Sequence, residues 1–418
     1  MSRPSARAAA FGSLLVLFAL SAACKKSQAT PAKPTPDAVA APVVAAEPVK
    51  EPASQASKDD PSSHPPLQVC DPRGKDPLAA AREYYDDGKY EEALSCAAES
   101  CARNSDDPSA HSERAGALAA LERFDEAKLA YARALALDPD LPDALLGAAH
   151  LYTVALPGSR DHDELGLLYA KRGLSIARRE KDEDLLQKFG NLTAMGLNDL
   201  GQSQNALDQA NEVLHKHPAD HQAGYERALA LFELCRFKDA KAAFTALLND
   251  EERGAYAHHH LGLLLEREGK WKEAELHFKK ARELEPEDFP APIILSAADF
   301  SKEVEKAISE LPEDMRHDLE GVPVKAEDLP AEDDLIGNDP PLSPTILGLF
   351  RGPSINEACD EPEKPGEACR SVALYRLNLG RAVTSKKELL EQIRVTLLHE
   401  VGHLRGEDDL ELAARGLE

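Results

Sequence analysis

Residues Ala255 to Asp288 read AYAHHHLGLLLEREGKWKEAELHFKKARELEPED. Leu261 and Leu265 lie one helical turn apart in the first half, and Ala274, Phe278 and Ala281 keep helical spacing in the second. Gly262 and Ala274 are small, so two antiparallel helices can approach closely there. Pro286 cannot continue the second helix and ends it. The same frame runs upstream, with units starting at Gly74, Pro108, Pro142, Gln187, His221 and Ala255. Ala93, Ala127, Ala206, Ala240 and Ala274 fall at one position of that frame. The third unit is longer, with an insertion around Pro157 to Glu164, after which Tyr169-Ala170 and Leu174 to Ala177 resume the pattern. One such unit cannot bury its apolar face alone, and stacking the units does so. Aromatic residues are only 5% of the chain, which suits small-residue helix packing.

These units resemble tetratricopeptide repeats, about six of them, over residues 73–288. The resemblance implies a right-handed α-solenoid whose concave face holds a peptide or partner protein. By family position, Asn191, Asn198, Tyr225 and His259 would face that groove. The run His258-His259-His260 is not read as a metal site, because three consecutive helical residues point in three directions.

The 418 residues carry 49 basic and 74 acidic side chains, a net charge of -25. No basic stripe offsets that charge, which argues against nucleic acid as a partner. Residues 1–24 read as an export signal: Arg3 and Arg7, an apolar run from Phe11 to Leu20, then Ser21-Ala22-Ala23. The run is too short for a transmembrane helix. Cys24 after the small residues resembles a bacterial lipobox, although Leu20 stands one place early. The resemblance implies a lipid-modified Cys24, and Lys25 after it implies the outer membrane facing the periplasm. Residues 25–72 are rich in Pro, Ala, Ser and Lys without apolar periodicity, and read as a disordered tether.

An exported chain meets an oxidising space, so cysteine pairing is expected. Cys359 and Cys369 bracket a polar loop and are expected to form a disulfide, worth about 2–3 kcal/mol by loop closure. Cys70 is expected to pair with Cys96 or Cys101. Cys235 reads as a small buried thiol.

Residues 289–418 break the repeat. Phe300 to Leu311 is amphipathic and ends at Pro312, Val322 to Glu327 and Ile346 to Phe350 read as strands, and Ser371 to Leu379 alternates at period two. Ser385 with Glu388 caps a final helix. That helix carries Leu398-His399-Glu400-Val401-Gly402-His403-Leu404-Arg405-Gly406-Glu407-Asp408-Asp409. His399 and His403 are one turn apart on one face and can close on one metal ion. Glu400 stands on the neighbouring flank, where it can take a proton from water. Gly406 can end the helix with φ > 0, and the turn brings an acid within reach as third ligand. Asp409 is selected by the frame, with Glu407, Asp408 and Glu411 as alternatives. No distant downstream glutamate or methionine turn is available, so whatever completes the site is local, lies upstream or is water.

The domain resembles a small bacterial family of zincin-like metallopeptidases. The resemblance is carried by Glu310-Leu311-Pro312, Leu347-Gly348-Leu349-Phe350-Arg351-Gly352, Leu374-Tyr375-Arg376 and His399 to Asp409, in that order. The cysteine-bracketed loop is the departure from it. The overall expectation is a mainly α protein, a tetratricopeptide solenoid followed by a small α+β zincin-like domain. Its implied function is zinc-dependent peptide hydrolysis from a membrane tether, with Zn2+ on His399, His403 and Asp409 and with Glu400 as base. The repeats would recruit substrate or partner. Val372 to Leu377 is expected to be the sheet edge on which an extended peptide pairs, and Tyr375 and Arg376 read as structural. The rival reading is a non-catalytic envelope scaffold that uses the repeats for protein binding. The intact Glu400 argues against it, since a structural zinc site needs no base.

Overall fold

A computed structural model describes residues 69–359 and 368–417. Cys24 and most of the tether lie outside the described residues. Two compact bodies divide the chain, meeting in sequence at Leu137 and Asp138.

Among its described residues the first body has four helices: α1 (Pro77–Asp86), α2 (Tyr90–Arg103), α3 (Pro108–Ala120) and α4 (Phe124–Leu137). Asp76 and Asp107 cap α1 and α3, each followed by proline at the first helical position. Proline has no N–H to leave unsatisfied there. A Cys70–Cys96 disulfide ties the entering segment to α2. Cys101 stays a free thiol.

The second body opens with α5 (Pro142–His150), which runs into a π-helical turn, Leu151–Ala155. Then follow α6 (Arg160–Glu180), α7 (Glu183–Asp199), α8 (Ser203–Lys216), α9 (His221–Glu233), α10 (Phe237–Ala246), α11 (Gly254–Arg267) and α12 (Trp271–Leu284). Pro157 to Ser159 of the insertion lie between helices, and Arg160 to Glu164 open a longer α6, 21 residues against 14 in α8 and α12. The alanines at the repeated position, Ala206, Ala240 and Ala274, are fully buried. Close helix contact needs such residues, because a larger side chain would hold the backbones apart.

The four residues expected to face a partner each have a partner within the chain. Asn191 donates to Asp220 at 2.9 Å. Asn198 is buried and donates to the Glu226 carboxylate at 2.9 Å. Tyr225 packs edge-on against Phe244 and Tyr256. His259 stacks on Phe289 with ring centroids 4.7 Å apart. Of the other two histidines in the run, His258 meets His277 and His260 stacks on Phe244.

Glu226 yields a prediction. Burial pushes its carboxyl up to about 7, against the hydrogen bond from Asn198 and the charge of Arg253. The folded state therefore holds this proton more tightly than the unfolded state. The contribution is complete below an ordinary carboxyl pKa of about 4.3 and is lost as pH rises through 7. Urea midpoints should fall between pH 5 and pH 8. Glu226→Gln should remove that part of the slope and be the more stable protein at pH 8.

The last domain contains α13 (Ala297–Glu310), α14 (Glu313–Asp318), β1 (Val324–Glu327), α15 (Glu332–Ile336), β2 (Gly348–Arg351), β3 (Ser371–Tyr375), α16 (Arg376–Arg381), α17 (Lys386–Arg405) and α18 (Asp409–Ala414). The sheet order is β1-β3-β2, with β1 parallel and β2 antiparallel to β3. Two expectations need correction here. The third strand ends at Tyr375, and Arg376 to Arg381 is helical. Asn378 turns the chain by donating to the Pro344 and Ile346 carbonyls at 3.1 and 2.8 Å. Residues 372–375 are also not a sheet edge. All five β3 residues are buried, and strands lie on both sides. The free edges belong to β1 and β2.

The two faces of β3 have different neighbours. Val372 and Leu374 join a core with Leu389, Ile393, Leu397 and Val401 of α17. Ala373 and Tyr375 join Leu335, Leu342 and Ile346, and this cluster includes Cys235 and Phe237 from the repeats. Cys235 is the buried thiol expected, with its sulfur 3.7 Å from the Leu342 carbonyl. Arg381 pairs with Glu266 of α11 at 2.5 Å. Arg267 donates to the Pro330 carbonyl at 3.1 Å. The repeats of the second body and the last domain are thus packed together. Among the described residues, no helix is long and apolar enough to cross a membrane.

Candidate metal centre

Two devices fix α17. At its start Ser385 and Glu388 form a reciprocal capping box. At its end Gly406 takes φ 92°, and Arg405 is held by Asp314 and Asp318 at 2.7 and 2.6 Å. A left-handed residue at this place is cheap only for glycine. The chain turns back at once, and Asp408 and Glu411 cap α18.

That turn separates the four acids. Asp408 and Glu411 accept from each other's backbone N–H, at 2.9 and 3.1 Å. Glu407 is paired with Arg415. Asp409 alone of the four reaches the histidines. Its Oδ1 lies 3.2 Å from His403 Nε2 and 3.5 Å from His399 Nε2. The two Nε2 atoms are 3.0 Å apart. His399, His403 and Asp409 are the cluster of metal-capable side chains found among the described residues. Each keeps about a fifth of its side chain exposed, 20%, 17% and 21%, so solvent reaches the centre.

The hydrogen bonds behind the rings set their tautomers. His399 Nδ1 lies 2.5 Å from the Leu417 carbonyl, and His403 Nδ1 lies 3.0 Å from the Glu407 carbonyl. A carbonyl only accepts, so each Nδ1 carries a proton. Both Nε2 atoms then face each other and a carboxylate. A positive charge between them, a proton or a metal ion, satisfies all three atoms. Burial pulls both imidazoles down, but the Asp409 carboxylate and the Glu400 charge outweigh it and hold both above their ordinary value. The separations suit a tetrahedral ion with bonds of about 2.0–2.2 Å to two nitrogens and one oxygen, the donor set of a zinc centre with one open position.

Glu400 is 6% exposed, and the backbone N–H of Phe350 in β2 acts on its carboxyl. Burial pushes its carboxyl up, against both imidazoles and that N–H. Tyr375 and Arg376 are spent elsewhere. Tyr375 is fully buried and reaches Arg351 at 3.4 Å, and Arg376 pairs with Asp328 at 2.7 Å. The Cys359–Cys369 disulfide is formed. Three contributors escape a motif search: the carbonyls of Leu417 and Glu407 and the N–H of Phe350. They are backbone groups, and any residue type could supply them.

Residues 319–417 match the model of the family described as zincin-like metallopeptidase. Residues 78–142 and 255–288 match tetratricopeptide repeat models. The chain joins tetratricopeptide repeats to a C-terminal zincin-like metallopeptidase domain. Several solved structures are similar over the repeats. The crystal structure of YrrB, titled a TPR protein with an unusual peptide-binding site, is 19% identical, covers 46% of this chain and 92% of its own, and has a TM-score of 0.36. Pseudomonas aeruginosa pilF is 13% identical, covers 51% and 93%, and scores 0.42. PilW, a type IV pilus biogenesis factor, is 17% identical, covers 50% and 92%, and scores 0.42. These are likenesses of repeat architecture only. No curated protein matches the chain.

Proposed function

We propose that the protein is a zinc-dependent peptidase of the bacterial envelope, tethered through a lipidated Cys24, whose repeats bring substrate or a partner protein to the last domain. The observation that carries the reading is the convergence of the His399 and His403 Nε2 atoms and the Asp409 carboxylate, with Glu400 next to His399 in the chain. His399, His403 and Asp409 would hold Zn2+. When bound, the ion supplies Lewis acidity, lowering the pKa of water toward about 7 and polarising a carbonyl. Leu417 and Glu407 keep the two rings turned toward the ion by holding their Nδ1 protons. Glu400 takes the proton of the attacking water on its carboxylate and delivers it to the leaving amine nitrogen. The free edge next to Glu400 is that of β2, so an extended peptide would pair there.

Incubating the soluble part with a peptide library, with and without chelator, tests the activity. Cleavage that persists after zinc is stripped would sink it. The ligand assignment has its own test. Asp409→Ala should lower zinc affinity by at least about 10- to 100-fold, read by competition with a chromogenic chelator. An unchanged affinity would remove Asp409 from the set. Protons compete for the same imidazoles, so zinc should also be released as pH falls.

A further inference from the structure

We infer that Gly348 is a positioning residue for Glu400, acting with the backbone N–H of Phe350; the inference rests on the peptidase reading for its meaning but not for its geometry. Tyr375 N–H donates to the Leu347 carbonyl at 2.9 Å, which makes Leu347 and Tyr375 a bonded pair across β2 and β3. Bonded and non-bonded pairs alternate along antiparallel strands. The register sets Gly348 opposite Leu374 and Phe350 opposite Val372, so these two residues turn their N–H and C=O away from β3. The free edge of β2 is therefore made by their backbone groups, and the Phe350 N–H is the one that acts on the Glu400 carboxyl.

The face of β2 that carries these two residues lies on α17. A Cβ at Gly348 would stand 2.7 Å from Glu400 Oε1, 2.7 Å from Thr396 Cγ2 and 3.0 Å from Glu400 Cγ. Thr396 is buried one turn before Glu400, so its methyl has little room to yield. The carboxylate is the part that would move. Its seat is thus formed by a missing side chain on one side and an edge N–H two residues along. Both come from one strand, so a shift of β2 shifts the base relative to His399 and His403.

The test uses the zinc-loaded protein with 15N-labelled phenylalanine. Gly348→Ala should retain one zinc per chain. Its kcat on a peptide cleaved by wild type should fall on the order of 100-fold, the cost of a displacement near 1 Å, with KM little changed. The Phe350 amide proton, shifted downfield by its charged acceptor in wild type, should move upfield in Gly348→Ala and in Glu400→Gln. Wild-type kcat together with an unmoved Phe350 amide in Gly348→Ala would overturn the inference. An amide that is the same in wild type and Glu400→Gln would overturn it too. Should Gly348→Ala fail to fold, Glu400→Asp draws the carboxylate back from the same seat and must move the same amide. The amide reads the contact even if no peptide is ever cleaved, so failure of the peptidase reading stays separate.

Discussion

Glu400→Gln is expected to lose peptide hydrolysis by about 10²- to 10⁴-fold while binding zinc as tightly as the wild type. Glutamine has the shape of glutamate, and its side-chain oxygen can still face the Phe350 N–H. The seat beside Gly348 stays filled. His399, His403 and Asp409 are untouched, and the two carbonyls behind the rings still set their tautomers. What disappears is a group that can take and return a proton. Zinc content and kcat measured on one preparation check this. Undiminished hydrolysis would show that the proton goes elsewhere.

The second large effect is expected where α16 meets α11. Arg381 and Glu266 are only 16% and 10% exposed and are 2.5 Å apart. Arg381 also lies over the Phe278 ring, 4.8 Å from its centroid. Burial raises the carboxyl of Glu266 and lowers the guanidinium of Arg381, each against the attraction of its partner. Desolvation therefore outweighs the pairing on both sides, and the pair is no net source of stability over an apolar contact. Breaking it is a different matter. Arg381→Ala leaves a carboxylate buried without its cation, at a cost of about 3–5 kcal/mol. Replacing both partners, Arg381→Met with Glu266→Leu, should be close to neutral or stabilising. The single tryptophan, Trp271, begins α12 and gives a fluorescence readout of denaturant midpoints in this part of the body. Equal midpoints for wild type and Arg381→Ala would show that the pair does not join the repeats to the last domain.

Much of this was legible in residues. The alanines at one repeated position had to be buried, because only a small side chain lets two helices touch there. Ser385 and Glu388 announced the start of α17, and Gly406 its end. The choice of Asp409 among four neighbouring acids followed from spacing, and the structure adds why the other three are engaged elsewhere: two cap α18 and one meets Arg415. The alternation of Ser371 to Leu379 misled in two ways. Alternation speaks of one wet face, yet both faces of β3 are covered, one by α17 and the other by a cluster that includes Cys235 and Phe237. The last residues of that run were drawn into α16 by the bonds of Asn378 to two carbonyls more than 30 residues earlier in the chain, a contact with no local signal. At Asn191 and His259, position in a repeat tells which way a side chain points, and only the structure shows that Asp220 and Phe289 also hold it.

By itself, then, the order of amino acids determined the helix pairs, the caps, the two imidazoles on one face and the acid after the turn, since each depends on residues within about one repeat of one another. Tertiary structure alone decided which strand is the edge, where Glu400 rests, which carbonyls fix the histidine tautomers and how the repeats press on the sheet. Those contacts join backbone groups and side chains from distant segments, and a backbone N–H or C=O leaves no mark in the sequence.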